Sequence, residues 1–268
     1  MSGPSVEEEG DAERDAVELT VPRKGVALLR IRSEPLGVLR GAVKQAILAA
    51  LREAEADSGI RSLVITGTGR AFSVGSDVRE FRRDPGWHRS TAERDQNLNL
   101  ALEDSPLAVV AACNGLTLGG GNELALACDI RLAATSARFG FPEVKVGAFA
   151  SAGGTQRLPM AVGPGRAMEL LLTGRLLDAP EALAIRLVEE VVDDDRLLER
   201  ALDLAAAIAE GPAVSIAATK RCVVEGLREG RATGHSLEND LTVEVGMTDE
   251  AAEGQVAFLE KRTPQWRR

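Results

Sequence analysis

The stretch CNGLTLGGGNELALACDIRLAATSARFGFPEVKVGAFASAGG (residues 113–154) organises the reading of this chain. Three successive glycines, Gly119, Gly120 and Gly121, open onto a segment whose pattern predicts a helix over 119–127, and that helix carries Glu123. Residues 129–133 (DIRLA) and 138–141 then read as short strands, and a second acid, Glu143, follows Pro142. Strand, turn and helix alternate, which is the rhythm of an α/β fold. Three residues without Cβ weaken local structure and need a reason. One reason is that they let a ligand approach backbone N–H groups pointing out of a helix start. On that reading Gly120 N–H is a candidate oxyanion donor, with Glu123 about one helical turn further on. The plainer alternative for Glu123 is an acid stabilised by the helix dipole, by about 0.3–1 kcal/mol. Glu143 lies between apolar Phe141 and Val144, where an unpaired carboxylate is costly. Either it pairs with Lys145 or a distant arginine, or it is a carboxyl of tuned pKa facing Glu123, since two close acids do not both ionise freely.

Working outward toward the N-terminus, residues 17–21 (VELTV) and 25–31 (GVALLRI) predict two strands around a turn. Residues 40–57 predict a helix: Val43, Ile47, Leu48 and Leu51 recur at helical spacing, while Lys44, Arg52, Glu53 and Glu55 fall on the wet side. SLVIT (62–66) and LAVVAAC (107–113) read as buried strands. Between them, GTGRAFSVGSD (67–77) is either an ordinary βα loop or one that presents the Ser76 N–H just after Gly75. It lacks the Gly-Lys-Ser/Thr ending of a Walker A loop and the G-x-G-x-x-G spacing of a dinucleotide fingerprint. A polar helix within 85–105 is a solvated surface element or a cover over a site. Toward the C-terminus, helices are predicted at 155–162, 166–173 and 179–184, and a strand at 187–192. Nearly continuous helix follows, at 194–210, 213–226 and onward to 261. Those last helices pack on a neighbouring subunit or cap the chain's own body.

The 268 residues suffice for one large domain, or a domain with a small appendage. A formal charge of −9 and 3% aromatic residues, with no Tyr, argue against nucleic-acid binding, which needs a basic surface and stacking rings. A few local Lys or Arg residues still suffice to hold a phosphorylated ligand. Three scattered cysteines and two histidines give a metal site little support, and fit thiols in a reducing, cytoplasmic setting. No apolar run reaches the roughly 18 residues that a membrane helix needs. The acidic residues 1–16 read as a disordered leader.

The segments SLVITGTGRAFSVGSDVREF, AACNGLTLGGGNELALACDIRLAATSARFGFPEVKVG and GGTQRLPMAVGPGRAMELLLTG, in that order, resemble the enoyl-CoA hydratase/isomerase (crotonase) family. The likeness continues through LVEEVV to AFLEKR and covers roughly residues 18–262. It implies an α/β fold: a crotonase-like spiral of β-β-α turns over 17–193, holding an acyl-CoA site, and a C-terminal helical trimerisation region over 194–268. It also implies a homotrimer or a dimer of trimers. The same resemblance makes the Ser76 and Gly120 N–H groups an oxyanion hole and Glu123 and Glu143 the catalytic pair, at the family's own separation. Phe72, Ser73, Asp77, Val78, Arg79 and Gly119 then line the substrate path, while Phe258 and Lys261 reach a neighbour's adenine and phosphate. The implied activity is addition of water across the 2,3 double bond of a 2-trans-enoyl-CoA. Coenzyme A is part of the substrate, with no separate cofactor and no metal. Two other readings are an enoyl-CoA isomerase (or other acyl-CoA enolate chemistry) and a catalytically idle acyl-CoA-binding scaffold subunit. The sequence departs from the family pattern at Gly37, Val74, Ala150 and Ser151.

Overall fold

The computed structural model describes residues 16–33 and 35–266, so the predicted leader, Ala16 apart, lies outside the described residues. Two strands open the fold as an antiparallel hairpin, β1 (Val17–Arg23) and β2 (Val26–Ile31). Helix α1 (Gly41–Ala56) follows, its Val43, Ile47 and Leu51 stripe buried as the helical spacing predicts. Next come β3 (Ser62–Gly67), β4 (Ala71–Ser73) and α2 (Pro85–Glu103). Asp84 starts α2: its side chain accepts the Trp87 N–H at 2.6 Å, ahead of a proline in the first turn. The next turn of the chain is β5 (Ala108–Cys113), β6 (Leu116–Leu118) and α3 (Gly120–Leu126). It is followed by β7 (Ile130–Ala134), β8 (Arg138–Gly140) and a 3₁₀ turn, Pro142–Val146.

Three times the chain lays one strand in a six-stranded sheet, a short strand in a four-stranded sheet, and then a helical segment. The larger sheet has the order β1-β2-β3-β5-β7-β10 and the smaller β4-β6-β8-β9, where β9 is Leu176–Asp178 and β10 is Glu190–Val192. From β2 to β10 the large-sheet pairs are parallel, so each β-β-α turn advances both sheets by one neighbour. That is the spiral the resemblance implied. β3 is buried along its whole length and β5 along nearly all of it, which is why both read as unbroken apolar runs rather than alternating ones.

Helices α4 (Gly154–Val162), α5 (Pro164–Thr173) and α6 (Ala179–Ala184) surround β9 and match the predicted segments closely. Then come α7 (Leu197–Ala209), α8 (Ala213–Glu229), α9 (Arg231–Gly246) and α10 (Asp249–Glu260). α7 lies against β3 and β5, where Ser62 Oγ donates to the Ala205 carbonyl at 2.9 Å. Among the described residues no single helix is long and apolar enough to cross a membrane; α7 and α8 pass that test only as a pair bent by 106°.

Three expectations need correcting. The strand predicted over 187–192 shrinks to β10, because Leu187 and Val188 turn back to bond the Ala182 carbonyl at the end of α6. The loop over 67–77 is not loop throughout: it contains β4, which pairs with β6. Lys44 does not face solvent. α2 packs across that side of α1, and Lys44 is 4% exposed with its ammonium turned inward.

Candidate active site

Two glycine turns from successive β-β-α units meet at one point. Gly75 ends the β4 loop with φ 86°, a left-handed conformation that side chains rarely adopt. A Cβ on it would lie 2.6 Å from Gly120 N, so the two backbones touch only because no side chain intervenes. The segment before α1 clamps this loop: Val74 N donates to the Leu36 carbonyl at 3.1 Å and Leu39 N to the Gly75 carbonyl at 2.9 Å. From the position of a Cβ on Gly120, Ser76 N and Ser76 Oγ each lie 3.7 Å away. Gly120 N–H belongs to the first turn of α3, which has no intrahelical acceptor. Ser76 N–H donates to no protein acceptor among the described residues.

Both acids converge on the same place. Glu123, in α3, is 4% exposed, and its Oε1 accepts the Ala152 N–H at 2.7 Å and the Gly154 N–H at 3.1 Å. Burial pushes its carboxyl up to about 7, against the pull of those two N–H groups, and the neighbouring Glu143 charge adds to the rise. Glu143 Oε1 comes within 3.2 Å of where a Cβ on Gly119 would stand, which places it at the mouth of the same turn. Both of its oxygens are buried, and neither has a hydrogen-bond partner among the described residues. Burial raises its carboxyl above the usual range as well. The alternative pairing with Lys145 is not formed.

Ser151 and Ala150, the departures downstream of Glu143, lie in the loop that feeds Glu123. Gln96 Nε2 donates to the Ser151 carbonyl at 3.1 Å and Asn99 Nδ2 to the Ala152 carbonyl at 2.8 Å, so α2 fixes this loop. The loop still delivers two N–H groups to Glu123 despite the substitutions.

The other expected substrate residues are more dispersed. Phe72 and Ser73 are fully buried in β4, and Ser73 Oγ accepts the Gly75 N–H at 3.0 Å, bracing the loop from behind. Asp77 starts the 3₁₀ turn Val78–Glu80; the Arg79 guanidinium, bonded at 2.6 and 2.8 Å, holds its carboxyl well below the usual range. Val78 is exposed at the loop's outer edge. Phe258 and Lys261 close α10, and Phe258 is 83% exposed. Among the described residues no three of His, Cys, Asp and Glu converge as metal ligands.

Sequence reasoning missed one cluster here. Lys44 Nζ donates to Ser76 Oγ at 2.8 Å and pairs with Asp95 Oδ2 at 2.5 Å. Lys44, Asp95, Gly120 and Glu123 line one small cavity together with Leu98 and Asn99. No sequence signal marked this cluster: Lys44 reads as a wet-side residue of its helix, and its partner is 51 residues away. A larger cavity, ≈ 610 Å³, lies elsewhere, between α8 and the body, walled by Leu126, Met160, Ile216, Val223 and Leu227.

Comparison with known proteins agrees with this architecture. A family model described as enoyl-CoA hydratase/isomerase matches residues 23–268. A probable enoyl-CoA hydratase of Bacillus subtilis is 38% identical over 245 residues, covering 90% of this chain and 95% of that protein. The 2,3-dehydroadipyl-CoA hydratase of Escherichia coli is 34% identical, covering 93% and 98%. A crystal structure of an enoyl-CoA hydratase from Bacillus anthracis superposes with a TM-score of 0.89 at 34% identity, covering 94% of this chain and 98% of the other.

Proposed function

Because the chain belongs to the enoyl-CoA hydratase/isomerase family, we propose that it hydrates a 2-trans-enoyl-CoA, using Ser76 and Gly120 as an oxyanion hole and Glu123 and Glu143 as its acid–base pair. The observation that carries this reading is Glu143: two buried carboxylate oxygens without a protein partner among the described residues, beside a second buried acid and the turn that holds the Ser76 and Gly120 N–H groups. Buried polar atoms are rarely left unsatisfied, so this arrangement calls for a water or a substrate between the acids.

The thioester carbonyl docks between Ser76 N–H and Gly120 N–H. The reaction needs Glu123, held by the Ala152 and Gly154 N–H groups, as the carboxylate, and Glu143, whose two buried oxygens disfavour charge, as the acid. Glu123 takes a proton from the water as its oxygen bonds to Cβ. The Cα–Cβ π pair moves toward the carbonyl, whose oxygen gains charge against the two N–H groups, and Cα then receives the proton of Glu143. The product is a 3-hydroxyacyl-CoA; proton exchange between the acids resets the site.

On the same reading the chain acts as a trimer or a dimer of trimers, because α8, α9 and α10 expose Leu227, Val243, Met247 and Leu259. Cys113, Cys128 and Cys222 are free thiols, which suits the cytoplasm.

The test is loss of the conjugated-thioester absorbance when purified protein meets crotonyl-CoA and longer enoyl-CoAs. Glu143→Gln is expected to lower kcat by roughly 10²–10⁴ while acyl-CoA still binds. Binding without turnover at any chain length would instead favour the scaffold reading or another enolate reaction.

A further inference from the structure

The Ser76 side chain is an unassigned group at this site. Its backbone N–H is one proposed donor, and its hydroxyl lies beside the same turn: both atoms are 3.7 Å from where a Cβ on Gly120 would stand. The hydroxyl has one protein partner among the described residues, the Lys44 ammonium at 2.8 Å. An ammonium has three donors and no acceptor, so toward Lys44 the Ser76 oxygen can only accept. Its own hydrogen is therefore left to point elsewhere, and no protein acceptor among the described residues takes it.

What lies behind the hydroxyl is costly to build. Lys44 is 4% exposed, and burying an ammonium requires compensation. Asp95 supplies it at 2.5 Å through Oδ2, while its Oδ1 accepts from Arg94 Nε at 3.3 Å. A hydrophobic pair of the same volume would hold α1 against α2 at least as well. The pair is instead aimed at Ser76 and shares a cavity with Gly120 and Glu123.

We propose that the Ser76 hydroxyl, polarised by Lys44 and held by Asp95, is a third donor to the substrate's thioester oxygen. This rests on the oxyanion-hole reading of Ser76 and Gly120. A ground-state carbonyl oxygen offers two lone pairs, which the two N–H groups occupy. The hydroxyl shares those lone pairs weakly with the N–H groups in the bound thioester, and bonds fully once the enolate oxygen that forms as water adds gains a third. An interaction that strengthens as charge develops raises kcat more than it lowers KM. Hydrogen bonds involving ionised groups are the strong ones, which is the advantage of a donor backed by an ammonium and facing an oxyanion. Lys44 and Asp95 act through Ser76 and are positioning residues.

The experiment uses the full chain as wild type, as Ser76→Ala, and as the double variant Lys44→Met/Asp95→Leu. The double variant removes both charges, so neither is left buried alone. The decisive readout is the absorption of a bound aryl-conjugated enoyl-CoA, which shifts to the red as its carbonyl is polarised. Ser76→Ala keeps the backbone N–H and is expected to shrink that shift, lower kcat on crotonyl-CoA by about 10-fold, and leave KM within about threefold. The double variant is expected to shrink the shift by less with thermal stability maintained, which a purely structural role of the pair would not produce. A full red shift in Ser76→Ala overturns the inference, whatever happens to kcat. No shift in the wild type overturns the oxyanion-hole reading and this inference with it. A wild-type shift that Ser76→Ala loses, without hydration of any enoyl-CoA, keeps the inference and overturns only the reaction.

Discussion

Glu123 titrates against its own burial. Its carboxyl is pushed up to about 7 in the fold, from 4.5 in an unfolded chain. Below pH 4.5 both states are protonated and the group costs nothing. Between pH 4.5 and 7 the unfolded chain ionises first, so the folded state loses stability as pH rises through that window, and above 7 the loss is constant. At 1.36 kcal/mol per unit the loss is on the order of 3 kcal/mol. Glu123→Gln removes it, so urea denaturation should find the variant gaining on wild type by about that much between pH 5 and pH 8. An unchanged difference across the window would mean that Glu123 is ionised in both states throughout. The same titration bears on the reaction. In the proposed reaction water activation needs the Glu123 carboxylate, so wild-type kcat/KM should fall as pH drops below about 7. At this scale the sequence was informative where chemistry leaves local marks. Three glycines before one acid, and a proline before the other, picked out Glu123 and Glu143. Lys44 and Asp95 left no such mark, because their pairing depends on how α1 crosses α2 and on nothing adjacent in the chain.

At the scale of elements, the long segments were legible and the short ones were not. α1, α4, α5 and β3 carry enough turns or apolar residues for a period to show. β4, β6 and β9 have three residues each, too few for an alternation to appear, and together with three-residue β8 they make the second sheet. That sheet matters, because β4 and β6 deliver the two glycine turns to a common point. Gly75 and Gly69 separate backbone strain from proximity. Both have positive φ, 86° and 67°, but a Cβ on Gly75 meets Gly120 N at 2.6 Å while one on Gly69 meets nothing within 4 Å. Gly69→Ala should lose about 1 kcal/mol of stability and keep its activity. Gly75→Ala should lose at least as much stability, and its kcat should fall by roughly 10² or more, because the added methyl forces the two donors apart. Equal kcat values for the two variants would show that the close approach of the turns is not what the reaction uses.

The whole molecule leaves its C-terminal helices incompletely covered. α8 and α9 pack on each other, with Gly226 and Gly234 facing across the contact. Leu227 and Val243 are nonetheless exposed, Val223 and Leu227 wall the open ≈ 610 Å³ cavity, and α10 exposes Phe258 and Leu259. A stable interface buries about 800 Å² on each partner around such apolar side chains. The proposed trimer meets that need with a contact between copies of this chain. If the proposed trimer uses this face, Val223→Glu with Leu227→Glu should reduce the sedimenting species to one chain, with the circular dichroism of the α/β body retained. The consequence for catalysis distinguishes assembly from mere adhesion. Glu123, Glu143, Ser76 and Gly120 all come from one chain, so the dissociated variant keeps its acid–base pair and its donors. On the proposed reading, Phe258 and Lys261, at the end of α10, reach the acyl-CoA of a neighbouring copy. Dissociation should therefore raise KM for the acyl-CoA several-fold with a smaller change in kcat, and Lys261→Ala in the assembled protein should reproduce the KM change alone. An unchanged KM in both variants would return Phe258 and Lys261 to the surface and leave the substrate site within a single chain.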